Sequence, residues 1–208
     1  MARVDFSLYL VTDRRQTCGR PLQEVVRAAL RAGVRAVQLR EKDLPTRPLL
    51  ALARELTDLA RSYGARVLVN DRADVCLAAG SYGTHLPAAG LRPAALRRLL
   101  GPDRLIGVSA HSADEAARAE TEGADFIVLG PIFETPSKRA FGPPIGLGEL
   151  ERARMRCRVP LFGIGGVTAP RVREVVKAGA HGVAVVGSVM AADDVERAAR
   201  ELLTALDL

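Results

Sequence analysis

Apolar positions along the chain fall into two alternating patterns. Short apolar runs recur at Leu8–Val11, Ala36–Leu39, Val67–Val69, Gly83–Leu86, Leu105–Val108, Phe126–Leu129, Pro160–Ile164 and Val183–Val186. They are continuous runs, not strict apolar–polar alternations, which is how parallel strands covered on both faces read. The segments between them carry helical spacing. In Pro21–Ala32, Leu22, Val25, Val26, Ala29 and Leu30 recur at i, i+3, i+4, i+7 and i+8, with Pro at the opening and Gly33 just past the end. Arg47–Ser62 sets Leu49, Leu52, Leu56 and Leu59 at helical spacing and stops before Gly64. Ser112–Glu122 opens on Ser112-Ala113-Asp114-Glu115, a capping-box pattern, and ends at Gly123. Ala169–Ala178 and Asp193–Leu206 complete the helices that periodicity predicts.

Eight strands, each followed by a helix, predict an α/β chain folded as one (β/α)8 barrel over residues 1–208. An open doubly wound sheet with fewer strands is the runner-up, and the strand count argues against it. Such barrels begin near ~200 residues, so short loops and no inserted domain are expected. The barrel also predicts where chemistry sits, because functional groups collect at the C-terminal ends of the strands.

Composition narrows the function. With 48% hydrophobic and 26% charged residues the chain reads as globular, without a membrane-length apolar run. No secretory signal pattern opens it, and a cytoplasmic location is expected. The net charge of +6 is scattered, aromatic residues are only 4%, and Trp is absent. A nucleic-acid groove interleaved with stacking aromatics is therefore not expected. Cys18, Cys76 and Cys157 are odd in number and far apart, so they read as buried packing residues rather than a disulfide or zinc framework. Homo-oligomers are left open.

Polar residues gather where the barrel predicts them. Thr12-Asp13-Arg14 follow the first strand, Arg40-Glu41-Lys42-Asp43 the second, Asn70-Asp71-Arg72 the third, and Ser109-Ala110-His111 the fifth. Gly165-Gly166 after the seventh strand and Gly187-Ser188 after the eighth match a phosphate cradle, where glycines let backbone N–H groups approach an anion. The opposite rim offers Arg40, Lys42, Lys138 and Arg139 as cations and Asp71 as a carboxylate. Only three of the 30 basic residues are lysine, and two of them stand at strand ends. Cations with a carboxylate suit a diphosphate carrying Mg2+. His85 and His111 read as strand-end residues engaged in hydrogen bonds. No zinc-ligand spacing and no Gly-x-Ser-x-Gly elbow occurs. Two anion sites at one mouth point to the joining of two small phosphorylated molecules, with diphosphate leaving.

The segments Leu8-Tyr9-Leu10-Val11-Thr12-Asp13, Gln38-Leu39-Arg40-Glu41-Lys42, Asn70-Asp71-Arg72, Gly107-Val108-Ser109-Ala110-His111, Gly130-Pro131-Ile132-Phe133, Ile164-Gly165-Gly166-Val167 and Gly182-Val183-Ala184-Val185-Val186 resemble the thiamine phosphate synthase family. The resemblance runs in order over nearly the whole chain. It implies a (β/α)8 barrel that couples a hydroxymethylpyrimidine diphosphate to a thiazole phosphate with Mg2+. By the same resemblance, Gln38, Leu39, Arg40, Glu41 and Lys42 hold the pyrimidine diphosphate, together with Asn70 and Ser109. Asp71 is a magnesium ligand, Thr135 and Ser137 sit on the thiazole side, and Lys138 sits on the diphosphate. Gly166, Val186 and Gly187 cradle the thiazole phosphate. Arg40, Lys42 and Lys138 are the candidate catalytic cations. The chain departs from the family after the fourth strand: Gly90 of His85-Leu86-Pro87-Ala88-Ala89-Gly90 stands where the synthases carry a second magnesium-binding Asp. Phe133-Glu134-Thr135 is similar instead to the TenI-type thiazole tautomerases, although Pro131 stands where that branch has its acid–base His. A tautomerase acting without Mg2+ is the alternative the resemblance leaves.

Overall fold

A computed structural model describes residues 4–135 and 142–207. Its strands are β1 (Leu8–Val11), β2 (Ala36–Leu39), β3 (Arg66–Asn70), β4 (Gly83–Leu86), β5 (Leu105–Ala110), β6 (Phe126–Leu129), β7 (Leu161–Ile164) and β8 (Gly182–Val185). Each pairs in parallel with the next, and β1 pairs with β8 through Leu8↔Val183, Tyr9↔Ala184 and Leu10↔Val185, which closes the barrel. The helices are α1 (Leu22–Arg31), α2 (Thr46–Ser62), α3 (Ala73–Ala79), α4 (Pro93–Leu100), α5 (Ala113–Thr121), α6 (Gly146–Arg156), α7 (Ala169–Lys177), α8 (Gly187–Met190) and α9 (Val195–Leu206). The predicted (β/α)8 architecture is the one observed.

Most strand positions are apolar on both faces because each face buries against a different layer. Leu8 and Leu10 of β1 pack outward against the helices. Tyr9 and Val11 point inward and join Phe6, Leu68, Leu105, Phe126 and Phe162 inside the barrel. There Phe6 and Tyr9 meet the Phe126 ring edge-on, with centroids 5.7 and 5.4 Å away. A fully buried aromatic ring of this kind contributes about 1.5–3 kcal/mol through burial alone. Gly107 makes room for this packing, since a Cβ there would stand 2.3 Å from Phe126 Cζ and 2.6 Å from His85 Nδ1.

Helix starts follow local chemistry. The Ser112 hydroxyl accepts from the Glu115 N–H at 3.1 Å, and Asp194 caps α9 by accepting from the Arg197 N–H at 2.9 Å. The expected reciprocal half of the capping box is absent, because the Glu115 carboxylate accepts from the His111 N–H at 2.7 Å. Boundaries shift by a residue or two from those predicted. β5 runs on to Ala110, so Ser109 is a strand residue, and β8 stops at Val185, so Val186 caps α8. Periodicity does not reveal α3, α4, α6 or α8. One expectation about the cysteines is corrected: Cys76 and Cys157 are buried, but Cys18 is exposed, on a turn with φ of 54°.

Candidate active site

The charged rim lies at the C-terminal ends of β2 and β3. Glu41, Lys42, Asn70, Asp71, Arg72 and Pro87 line a cavity of about 280 Å³, floored by Leu39, Leu44 and Leu49. Asn70 ends β3 and pairs in register with His85 of β4. Asp71 follows in the left-handed region, φ 61°, a conformation Asp tolerates better than most residues. Its N–H donates to the His85 carbonyl at 2.9 Å, which ties the turn to β4 and leaves the carboxylate exposed at the cavity. Arg72 forks onto Asp74 at 2.9 and 2.6 Å. That hydrogen bonding raises the guanidinium's already high pKa and fixes it beside Asp71.

The five residues of the Gln38–Lys42 segment have different surroundings. The Gln38 amide donates to the Tyr9 hydroxyl at 3.4 Å inside the barrel. Burial raises the Tyr9 pKa, so this phenol stays protonated. Leu39 turns outward into the helix-facing core. Arg40 is half-buried, and Lys42 is exposed. Glu41 is only 4% exposed, and its carboxylate accepts from Thr12 and Arg14.

Ser109 of β5 is 3.0 Å from His85 Nε2. His85 is 1% exposed, and burial, aided by the Arg40 charge, pulls its pKa down to about 3, so the imidazole is neutral at ordinary pH. Nδ1 is buried without a partner. A proton on Nε2 leaves only an acceptor unmet, the cheaper of the two vacancies. Nε2–H then donates to Ser109 Oγ, and the serine O–H remains free to donate at the mouth. His111, at the end of β5, bonds through Nδ1 to the Gly130 carbonyl at 2.7 Å and ties β5 to β6.

The glycine rim is built from backbone. Gly165 and Gly166 follow β7 with φ of 97° and 64°, conformations a Cβ would strain. A Cβ on Gly166 would stand 2.8 Å from both the Glu134 carbonyl and Phe133 Cβ. The Gly166 carbonyl accepts from Arg171 at 2.9 Å, and that guanidinium lies over the Phe133 ring, 4.6 Å from its centroid. Val186 caps α8, and Gly187 begins it against Gln16, whose Oε1 would be 3.0 Å from a Cβ there. Both rims sit at one mouth, with β1 between them in the closed strand order.

Thr135 is half-buried at the end of the described stretch. Ser137 and Lys138 lie outside the described residues. Sequence reasoning names Thr12, Arg14 and Asp43 at strand ends without giving them a role, and it passes over Gln16. The polar cluster after the first strand marks two of them, but nothing local assigns their partners. A slightly larger cavity, about 310 Å³, opens at the other end of the strands beside Arg61, Arg66 and Arg104. Arg61 is held by Asp58 and the Gly80 carbonyl, and Arg66 pairs with Asp5 above the Tyr82 ring. That end of a barrel conventionally serves stability, and the charged mouth is the better candidate for chemistry.

A closed parallel barrel with cations, the exposed Asp71 carboxylate and two glycine turns at its C-terminal mouth defines a (β/α)8 protein with a polar, glycine-lined mouth. The chain matches the thiamine monophosphate synthase family over residues 8–189 and belongs to it. It is 50% identical over 206 residues to a "Putative thiamine-phosphate synthase" of Geobacter sulfurreducens, covering 99% of this chain and 97% of that one. To a thiamine-phosphate synthase of Moorella thermoacetica it is 45% identical over 197 residues, covering 95% and 94%. The fold superimposes on thiamine phosphate pyrophosphorylase from Pyrococcus furiosus with a TM-score of 0.88 at 36% identity, over 97% of this chain and 96% of that one.

Proposed function

We propose that the protein is a thiamine-phosphate synthase, a transferase that joins hydroxymethylpyrimidine diphosphate to thiazole phosphate and releases diphosphate. The observation that carries this reading is the single mouth on which Lys42, Asn70 and Asp71 share one cavity while Gly166 and Gly187 bracket another anion position across β1. Gln38, Arg40, Lys42, Asn70 and Ser109 bind and orient the pyrimidine diphosphate, with Leu39 and Glu41 contributing through their backbone. Thr135, Ser137, Gly166, Val186 and Gly187 hold the thiazole phosphate. Arg40, Lys42 and Lys138 face the charge that develops as the bridging C–O bond breaks. The thiazole nitrogen then attacks the resulting benzyl-type carbon. It enters as a neutral ring nitrogen with a lone pair, so no general base is required.

Among the described residues no group of three His, Cys, Asp or Glu could hold a metal by itself. Mg2+ often needs only one or two carboxylates when phosphate oxygens and waters complete its shell. The exposed Asp71 carboxylate at the cavity fits that role beside a diphosphate. The bound ion supplies charge neutralisation to the leaving group.

The test is a diphosphate-release assay with each substrate alone and both together, with and without Mg2+. Release that needs both substrates and the metal supports the reading. Change in the thiazole phosphate alone, independent of Mg2+, replaces it with the tautomerase. Binding without turnover replaces it with a phosphate-binding module.

A further inference from the structure

The loop after β1 holds charged residues that the binding reading does not use. Glu41 is a buried carboxylate directly between Arg40 and Lys42. It accepts from the Thr12 hydroxyl at 2.7 Å, from the Arg14 N–H at 3.1 and 3.2 Å, and from Arg14 Nη1 at 3.1 Å. Arg14 reaches on to Asp43 with Nη1–Oδ1 at 2.7 Å and Nη2–Oδ2 at 2.8 Å. Thr12 closes the circuit, since its Oγ1 accepts from the Arg40 N–H at 3.0 Å. One hydroxyl and one guanidinium thus bind residues 40, 41 and 43 around the lysine. A buried carboxylate is costly without partners, and here the hydrogen bonds supply them. The forked Arg14–Asp43 pair adds direction, because two parallel N–H···O bonds fix the relative plane of both groups.

We propose that Thr12, Arg14, Glu41 and Asp43 form a positioning clamp that holds Arg40 and Lys42 in register for the diphosphate. The clamp rests on the synthase reading above. The side chains of the clamp do not touch substrate; they act through the two cations. Without it, two long cationic side chains keep their charge but lose the backbone that aims them. Diphosphate affinity then falls while the glycine cradle is unaffected. Arg14 is required as arginine, since lysine offers a point charge where a fork is used.

The experiment measures KM for each substrate and the calorimetric affinity for inorganic diphosphate in the wild type, Glu41→Gln, Arg14→Lys and Asp43→Asn. The clamp is expected to show as a rise of about tenfold or more in the diphosphate-side KM and Kd, equivalent to about 1.4 kcal/mol or more. The thiazole phosphate KM should stay within about twofold, a split that general loss of structure does not produce. Glu41→Gln and Arg14→Lys should be non-additive when combined, because they share one interaction. Asp43 is half-exposed, so Asp43→Asn keeps the test open if the buried variant fails to fold. Equal rises in both KM values, or unchanged diphosphate affinity in all variants, would overturn the clamp. A wild type that turns over neither substrate pair nor binds diphosphate overturns the synthase reading, and the clamp with it.

Discussion

The two rims of the mouth are built in opposite ways. Between β2 and β3 the groups are long cationic side chains whose aim depends on a buried ionic network. After β7 and β8 they are backbone positions: the left-handed Gly165 and Gly166, with Gly166 against Phe133 and Glu134, and Gly187 against Gln16. Side chains give charge but must be oriented, whereas backbone N–H groups give less charge and arrive oriented by the fold. The contrast suits the two proposed ligands: a diphosphate that has to leave with its charge absorbed, and a monophosphate that has to stay.

The largest expected effect concerns the departing diphosphate. Lys138→Ala should cut kcat by roughly two decades or more if the lysine is a main stabiliser of the departing diphosphate. Unchanged turnover removes it from the mechanism. On the glycine side, Gly166→Ala should raise the thiazole phosphate KM roughly tenfold, equivalent to about 1.4 kcal/mol. Its diphosphate-side KM should not move; a rise there would mean the rims are not separable. The cause would be steric, as the new Cβ meets the Glu134 carbonyl.

A third test concerns His85, which lies under the charged rim. Its imidazole stays neutral to about pH 3 in the folded protein because burial, and then Arg40, disfavour the cation. In the unfolded chain it takes a proton near pH 6.5. Between those values the unfolded state binds more protons, so stability falls as pH drops through that window. Well inside it, one such group contributes about 1.4 kcal/mol per pH unit. Urea midpoints from pH 7 to 4.5 should therefore fall more steeply in the wild type than in His85→Gln; parallel curves would mean His85 is protonated without cost.

The smallest effect is expected at Gly90. Gly90→Asp places a second carboxylate near the mouth and should lower the half-saturating Mg2+ concentration a few-fold, since added carboxylates tighten such sites. A Cβ there meets Pro87 Cδ at 2.9 Å, so the turn must relax to admit it. An unchanged Mg2+ titration would put this loop outside the metal's surroundings.

Much of this was readable from one sequence, and the misses have physical causes. Short apolar runs give seven of the eight strands because both strand faces are buried, while β4, Gly83-Thr84-His85-Leu86, carries two buried polar residues. α1 and α2 are long enough for a periodic stripe to stand out. α3 has seven residues and α8 four, too short for a period. α6 opens on Gly146-Leu147-Gly148 and buries only Leu150 and Ala153. α4 exposes Leu99 beside Arg97 and Arg98, which blurs its stripe. At the site, Lys42, Asn70 and Asp71 were legible because strand ends are predictable positions. The pairing of Arg14 with Glu41 and Asp43 was not, because it joins residues 27 and 29 positions apart through a register that only the closed sheet defines.

The loop after β1 touches both sides. Arg14 grips the β2 turn, while Gln16, two residues on and itself steadied by Asp13 at 2.8 Å, abuts Gly187. Attempts to broaden the substrate range by changing one ligand's pocket will be felt in its neighbour when they move the backbone of this loop, whereas side-chain changes confined to the Arg14 fork stay on the diphosphate side. Library designs should vary that stretch as a block, and leave it fixed when only one ligand is to be exchanged.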